Sequence, residues 1–172
     1  MAQPDETMKH EEKRTLEFAM PITDRYFEDY VPGSVFEYGT ILVSEAEIIE
    51  FAKRYDPQSI HTDPEAAARG PFGGLIASGW QTAGWMMRLF ADNFLSSVAG
   101  IASPGVDELR WKIPVRPGDS LRIRVSILES RRSRSKPDRG LITSFTEVLN
   151  QNGEVVMNLK AMSMLRCRKA AT

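Results

Sequence analysis

Residues Ala77 to about Ser97 set the strongest constraint on how this chain can fold. Trp80, Ala83, Trp85, Met86, Met87, Leu89, Phe90, Phe94 and Leu95 would cover most of the circumference of a helix there. The polar residues Gln81, Arg88 and Asp92 leave it only one narrow wet stripe, and a helix this apolar has to be largely enclosed. The rest of the chain reads as the enclosure. Leu121, Ile123 and Val125 alternate with Arg122, Arg124 and Ser126, the period of a half-buried strand with a charged outer face. Further strands are predicted at Val35 to Val43, Val106 to Val115, Leu141 to Leu149 and Val155 to Arg166. Turns at Arg116-Pro117-Gly118-Asp119 and Asn150-Gln151-Asn152-Gly153, and a basic tip from Ser133 to Gly140, join the later ones. The expectation is α+β: an antiparallel sheet wrapped around one long central helix.

The 172 residues suffice for a single domain with a real core, placed at 25–172, and residues 1–24 read as a polar tail, mobile or draped over the body. A net charge of −1 gives no reason to expect nucleic acid or an anionic membrane surface as partner. No run of 18 apolar residues exists to span a bilayer, and the charged N-terminus is unlike a signal peptide. The single cysteine, Cys167, fits a reducing compartment, so a cytoplasmic location is expected. The two histidines, His10 and His61, lie far apart without metal-ligand spacing, and neither a metal nor another cofactor is expected.

Chemistry points to Asp56-Pro57-Gln58-Ser59-Ile60-His61. A carboxylate and an imidazole five residues apart can meet on one water only if the peptide between them is not a regular strand or helix. Pro57, Gln58 and Ser59 favour such a path. Eighteen positions after His61, Gly79 opens the apolar helix and offers a free N–H where an oxyanion could sit. Each residue alone has a plain structural reading: Asp56 as a turn residue, His61 as a satisfied polar group, Gly79 as a packing glycine. Ser44 and Glu47 form a capping box for a short helix ending near Tyr55, and Asp63 before Pro64 reads as the N-cap of another, so Asp63 is structural.

The chain resembles the MaoC-like dehydratases, hot-dog-fold enzymes related to (R)-specific enoyl-CoA hydratase. Asp56, His61 and Gly79 stand at the spacings of that family's hydratase motif, and Phe72-Gly73-Gly74-Leu75-Ile76-Ala77-Ser78-Gly79-Trp80-Gln81-Thr82 matches the segment that follows it. Leu109-Arg110-Trp111-Lys112-Ile113-Pro114-Val115-Arg116-Pro117-Gly118-Asp119 is similar as well. The resemblance implies reversible addition of water to a trans-2-enoyl thioester, giving the (R)-3-hydroxyacyl thioester. Asp56 would be the principal base, His61 would orient the water and Gly79 would hold the enolate oxygen, with Gln58, Ser78, Trp80 and Gln81 as substrate contacts. An acyl-CoA is the implied substrate, ahead of an acyl carrier protein, and a homodimer or an assembly of dimers the implied state. Gln58, Ser59 and Gln81 depart from the family's asparagine, proline and histidine. A hot-dog thioesterase, in which Asp92 would be the lone helix carboxylate, and a non-catalytic acyl-CoA-binding subunit stand as alternatives. Arg131, Arg132, Arg134, Lys136 and Arg139 are either a solvated hairpin tip or a dock for coenzyme A phosphates. Trp80, Trp85, Met86 and Met87 are core or line an acyl tunnel.

Overall fold

The computed structural model describes residues 15–169. Five antiparallel strands, β1 (Val35–Leu42), β2 (Gly100–Trp111), β3 (Ser120–Arg132), β4 (Arg139–Leu149) and β5 (Val155–Arg166), form one sheet in the order β1-β3-β4-β5-β2. Helices α1 (Glu45–Tyr55), α2 (Ser59–Thr62) and α3 (Pro64–Ala68) precede the long α4 (Gly79–Asn93). The alternation in β3 buries Leu121, Ile123, Val125 and Ile127 toward α4. Its other face sets Arg124 2.6 Å and Arg122 3.6 Å from Glu37 of the neighbouring β1, cross-strand pairs of the kind that stabilise a sheet modestly. Ile142, Val148, Leu159 and Leu165 of β4 and β5 close the core around Met86, Leu89 and Phe90 of α4. The architecture is the α+β expected, a sheet around one helix.

Four expectations need correction. First, α4 stops at Asn93 rather than near Ser97. The Phe94 and Leu95 N–H groups both turn back to Phe90 O at 2.9 Å, and the buried Arg25 guanidinium donates to Asn93 O and Phe94 O, each at 2.9 Å. The terminator comes from a segment nearly seventy residues earlier, so no local signal announces it. Second, the helix is not enclosed all round within one chain: Trp80 is 63% and Met87 44% exposed. Third, Gln81, placed on the wet stripe by periodicity, is buried, at 5% exposure. Fourth, β2 begins at Gly100, several residues before Val106, because Ser103-Pro104-Gly105 interrupts its alternation.

The described part of the expected tail lies on the body. Leu16 N–H donates to Val35 O at 2.7 Å, and Phe18 stacks on Phe36 at 4.1 Å between centroids. Residues 1–14 of that expectation fall outside the described residues. No helix among the described residues is long and apolar enough to cross a membrane.

Candidate active site

Two helix ends meet at the site. Helix α1 is held at its start by Ser44, whose Oγ accepts from Glu47 N–H at 3.2 Å; this is one half of the capping box read from sequence, since the Glu47 carboxylate meets the Ser44 hydroxyl rather than its backbone N–H. It ends on Asp56. The chain turns tightly at Pro57, where Gln58 N–H donates to Asp56 O at 2.7 Å, and after an extended Gln58 makes the single turn α2. The irregular path expected from Asp56 to His61 is thus only three residues long, and His61 itself sits in a helical turn that points its ring inward.

His61 Nδ1 lies 2.8 Å from Ile76 O. A carbonyl only accepts, so Nδ1 carries a proton and Nε2 is the ring nitrogen left facing the site. Nε2 stands 3.5 Å from Asp56 Oδ2. Asp56 in turn accepts from Gln58 Nε2 through Oδ1 and from Ser78 Oγ through Oδ2, both at 2.7 Å. These donors, Gln58 first and then Ser78, hold the Asp56 carboxyl below its usual range; partial burial opposes them and His61 adds a smaller attraction. The carboxylate is therefore ionised at neutral pH, fit to accept a proton.

Ser78 is the N-cap of α4, and Gly79 is its first residue. The Gly79 N–H consequently has no helical carbonyl to meet and lies at the positive end of the helix. Trp111, at the end of β2, packs on the Gly79 Cα: a Cβ built there would fall 2.6 Å from Trp111 Nε1. That Nε1 donates to Gly79 O at 2.8 Å. A cavity of about 310 Å³ joins His61, Gly79, Thr82 and Trp111, with Lys112 at its rim and Ile76 and Val156 in its wall.

Asp56, Gln58, His61, Ser78 and Gly79 thus converge. Trp80 and Gln81 do not join them. Trp80 turns outward and meets the Trp111 ring edge-on, with centroids 5.2 Å apart. Gln81 faces α1, where its Nε2 donates to Glu47 O at 2.9 Å and it lines a second cleft of about 310 Å³. Trp111 was missed by sequence reasoning as a site residue. Its only signal was a large aromatic closing a strand just before a turn, which says nothing about which helix end it will cover. Asp92, the carboxylate a thioesterase reading would need, is far along α4 and paired with Arg88 at 2.6 Å.

Sheet, helix and site define a hot-dog protein with an aspartate and a histidine side by side at the head of its central helix. The chain belongs to the MaoC-like family, whose MaoC like domain matches residues 2–148. The solved MaoC-like dehydratase from Rhodospirillum rubrum superposes with a TM-score of 0.79 at 40% identity, covering 85% of this chain and 99% of that one. The R-hydratase PhaJ1 from Pseudomonas aeruginosa gives 0.68 at 26% identity, over 86% and 92% of the two chains. The Bacillus subtilis (strain 168) protein YdeM, itself uncharacterized, is 32% identical over 124 residues, 72% of this chain and 86% of that protein. The general class is accordingly hydratase or dehydratase, a hydro-lyase.

Proposed function

We propose that this protein is an enoyl-CoA hydratase, or 3-hydroxyacyl-CoA dehydratase in the reverse direction, acting on trans-2-enoyl thioesters to give (R)-3-hydroxyacyl thioesters. The observation that carries the reading is the Asp56 carboxylate, held by Gln58 and Ser78 and facing His61 Nε2 at 3.5 Å beside the head of α4. Two acceptors this close can share one water. Asp56 takes a proton as the water oxygen bonds to C3, and the C2–C3 π electrons move into the thioester as an enolate. The Gly79 N–H and the helix dipole stabilise the enolate oxygen, and a preorganised donor of this kind is worth about 3 kcal/mol. The proton returns to C2 on the same face from the Asp56–His61 pair, so the site ends as it began. A positioned acid/base pair contributes ~10²–10⁴ in rate.

A thioesterase needs a carboxylate near the carbonyl carbon from the helix. With Asp92 paired to Arg88 and distant from Gly79, none is supplied from α4. The cleft between α1 and α4 suits the acyl tail, because Tyr55 on its wall adjoins Asp56 and Gln81 lies one helical turn from Ser78. Gln81 Oε1 is buried without a partner among the described residues.

The assembly belongs to the same proposal. Strand β2 is an edge, and Ile101, Val106 and Trp111 along it are exposed, as are Trp80 and Met87 on α4. A second copy paired along β2 would cover both and close the site, giving a homodimer. A panel of enoyl-CoA esters differing in length and polarity, followed at the enoyl absorption band, tests the reaction; sedimentation tests the dimer. A fully active monomer would contradict the assembly, and an inert panel the reaction.

A further inference from the structure

The first turn of α4 is thinly held for the part it plays. Its Ser78 cap reaches the Trp80 N–H only at 3.3 Å, and the Gly79 N–H has no helical carbonyl to meet. Between them stands a glycine, the residue with the most backbone freedom to lose on ordering. An oxyanion donor works only when it is kept within about 2.7–3.1 Å of the place where charge develops. Something besides the cap has to fix Gly79.

Trp111 reaches it from the side. Its Nε1 donates to Gly79 O at 2.8 Å, and the indole lies so close over the Gly79 Cα that a Cβ there would run into it. With carbonyl and Cα both held, the Gly79 N–H can swing only about its own N–Cα bond. The ring itself is anchored. Trp111 closes β2 opposite Met157 of β5, and the next N–H, that of Lys112, donates to Val156 O at 2.8 Å. On its outer side Trp80 meets it edge-on, with centroids 5.2 Å apart. Packing alone does not call for tryptophan here. The ring is 47% exposed, and a phenylalanine could cover the Gly79 Cα without an indole donor. The same ring walls the cavity that holds His61, Gly79 and Thr82.

We propose that Trp111 is a positioning residue for the reaction, acting through Gly79 to keep its N–H aimed at the thioester oxygen. The clamp rests on these contacts alone; its consequence for rate rests on the hydratase reading. Because the oxygen carries full charge only as the enolate, the effect belongs in kcat rather than KM.

W111F keeps a ring over Gly79 and removes the donor, whereas W111L also removes the wall. For an enoyl-CoA, W111F should lower kcat about tenfold and leave KM within about twofold. Its acid limb should stay in place, since Asp56 and its donors are untouched. W111L should raise KM as well. An undiminished kcat in W111F, or a loss accompanied by a shifted acid limb, overturns the proposal. A bound 3-oxoacyl-CoA, which ionises to an enolate without turning over, reads the donor more closely. The ratio of enolate to keto form, taken from the enolate absorption band, should fall about tenfold in W111F; an unchanged ratio overturns the assignment. Should W111F melt well below wild type, a benzothienyl analogue placed at position 111 exchanges only the indole N–H for sulfur and repeats the comparison.

Hydrogen exchange tests the clamp without substrate. Amides of residues 79–82 should exchange about tenfold faster in W111F, while those of Ile123 and Val125 in β3 keep the wild-type rate. Equal protection at 79–82 in the two proteins contradicts the clamp. Absence of turnover with every thioester would sink the hydratase reading, while the exchange rates still decide whether Trp111 holds Gly79.

Discussion

Ser78 Oγ donates to Asp56 Oδ2 at 2.7 Å while accepting from the Trp80 N–H at 3.3 Å, so one hydroxyl both caps the central helix and holds the base. The start of α4 and the position of the carboxylate are therefore a single structural decision. Replacing Ser78 with alanine should cost about 1 kcal/mol as a lost cap and also let the Asp56 carboxyl rise toward its ordinary range. Ser78→Gly separates the two, since glycine is nearly as good a cap. Thermal melts should show a drop for alanine and little for glycine, whereas the acid limb of kcat/KM should move to higher pH in both. An acid limb that stays put in both variants would mean that Ser78 does not tune Asp56.

Gln58 is the larger influence on Asp56 and lies on the exposed side. Gln58→Ala should move the acid limb of kcat/KM upward by more than Ser78→Gly does, with a modest loss of stability at pH 7 that disappears in acid. The sign follows from linkage. A carboxyl held below its unfolded value stabilises the fold above that value, and the contribution is lost as pH falls through the lowered one. Gln58→Ala should therefore also flatten the loss of stability in acid, read from melts over a pH series. A wild-type acid limb in the variant would remove Gln58 from the pair's support.

Gly79 is required by its neighbour as well as by the helix start. A methyl there would run into the Trp111 ring, so Gly79→Ala should displace ring or helix end and lower kcat by up to about 10²–10³, the usual worth of an oxyanion donor. Trp111→Gly vacates the space. The double variant Gly79→Ala/Trp111→Gly should be more active than additivity of the two single changes allows. Strict additivity would show that the two residues do not share a constraint.

Arg25 locks the far end of the same helix. It is buried, donates to Met20 O, Asn93 O and Phe94 O, and lies 3.6 Å from the Phe18 ring centroid. Tyr30 adds its hydroxyl to Phe94 O at 2.8 Å; burial pushes its phenol up to about 12, so it keeps the proton it donates. Arg25→Met would leave carbonyls at the helix end without their donor and should cost about 2–4 kcal/mol. Urea unfolding measures it, and a loss under 0.5 kcal/mol, the ordinary cost of a surface change, would contradict the clamp.

What could be read in advance follows from the range of each interaction. The Ser44 and Asp63 caps involve neighbours within three residues, and both stand in the structure, with Asp63 Oδ1 accepting from Glu65 and Ala66 N–H groups at 3.0 Å. Strand β3 alternates because its two faces meet different media, and its period was plain. Contacts set by distant chain were not legible. The apolar pattern of α4 runs on through Phe94 and Leu95, so only Arg25, Tyr30 and the turn at Phe90 reveal where the helix ends. Gln81 shows the limit of periodicity most clearly. A polar residue on the expected wet stripe is buried because α1 lies over it and offers the Glu47 carbonyl. The spacing of Asp56, His61 and Gly79 did anticipate their convergence; Trp111 over Gly79 depends on where β2 ends in space, which no local pattern encodes.

The most direct measurement follows crotonyl-CoA at the enoyl absorption band, with free thiol assayed in parallel, for wild type, Asp56→Asn and His61→Ala. Wild type should consume the enoyl group without releasing thiol. Each variant should lose ~10²–10⁴ in kcat while still binding the thioester. Thiol release by wild type, or undiminished turnover in both variants, would contradict hydration by an Asp56–His61 pair.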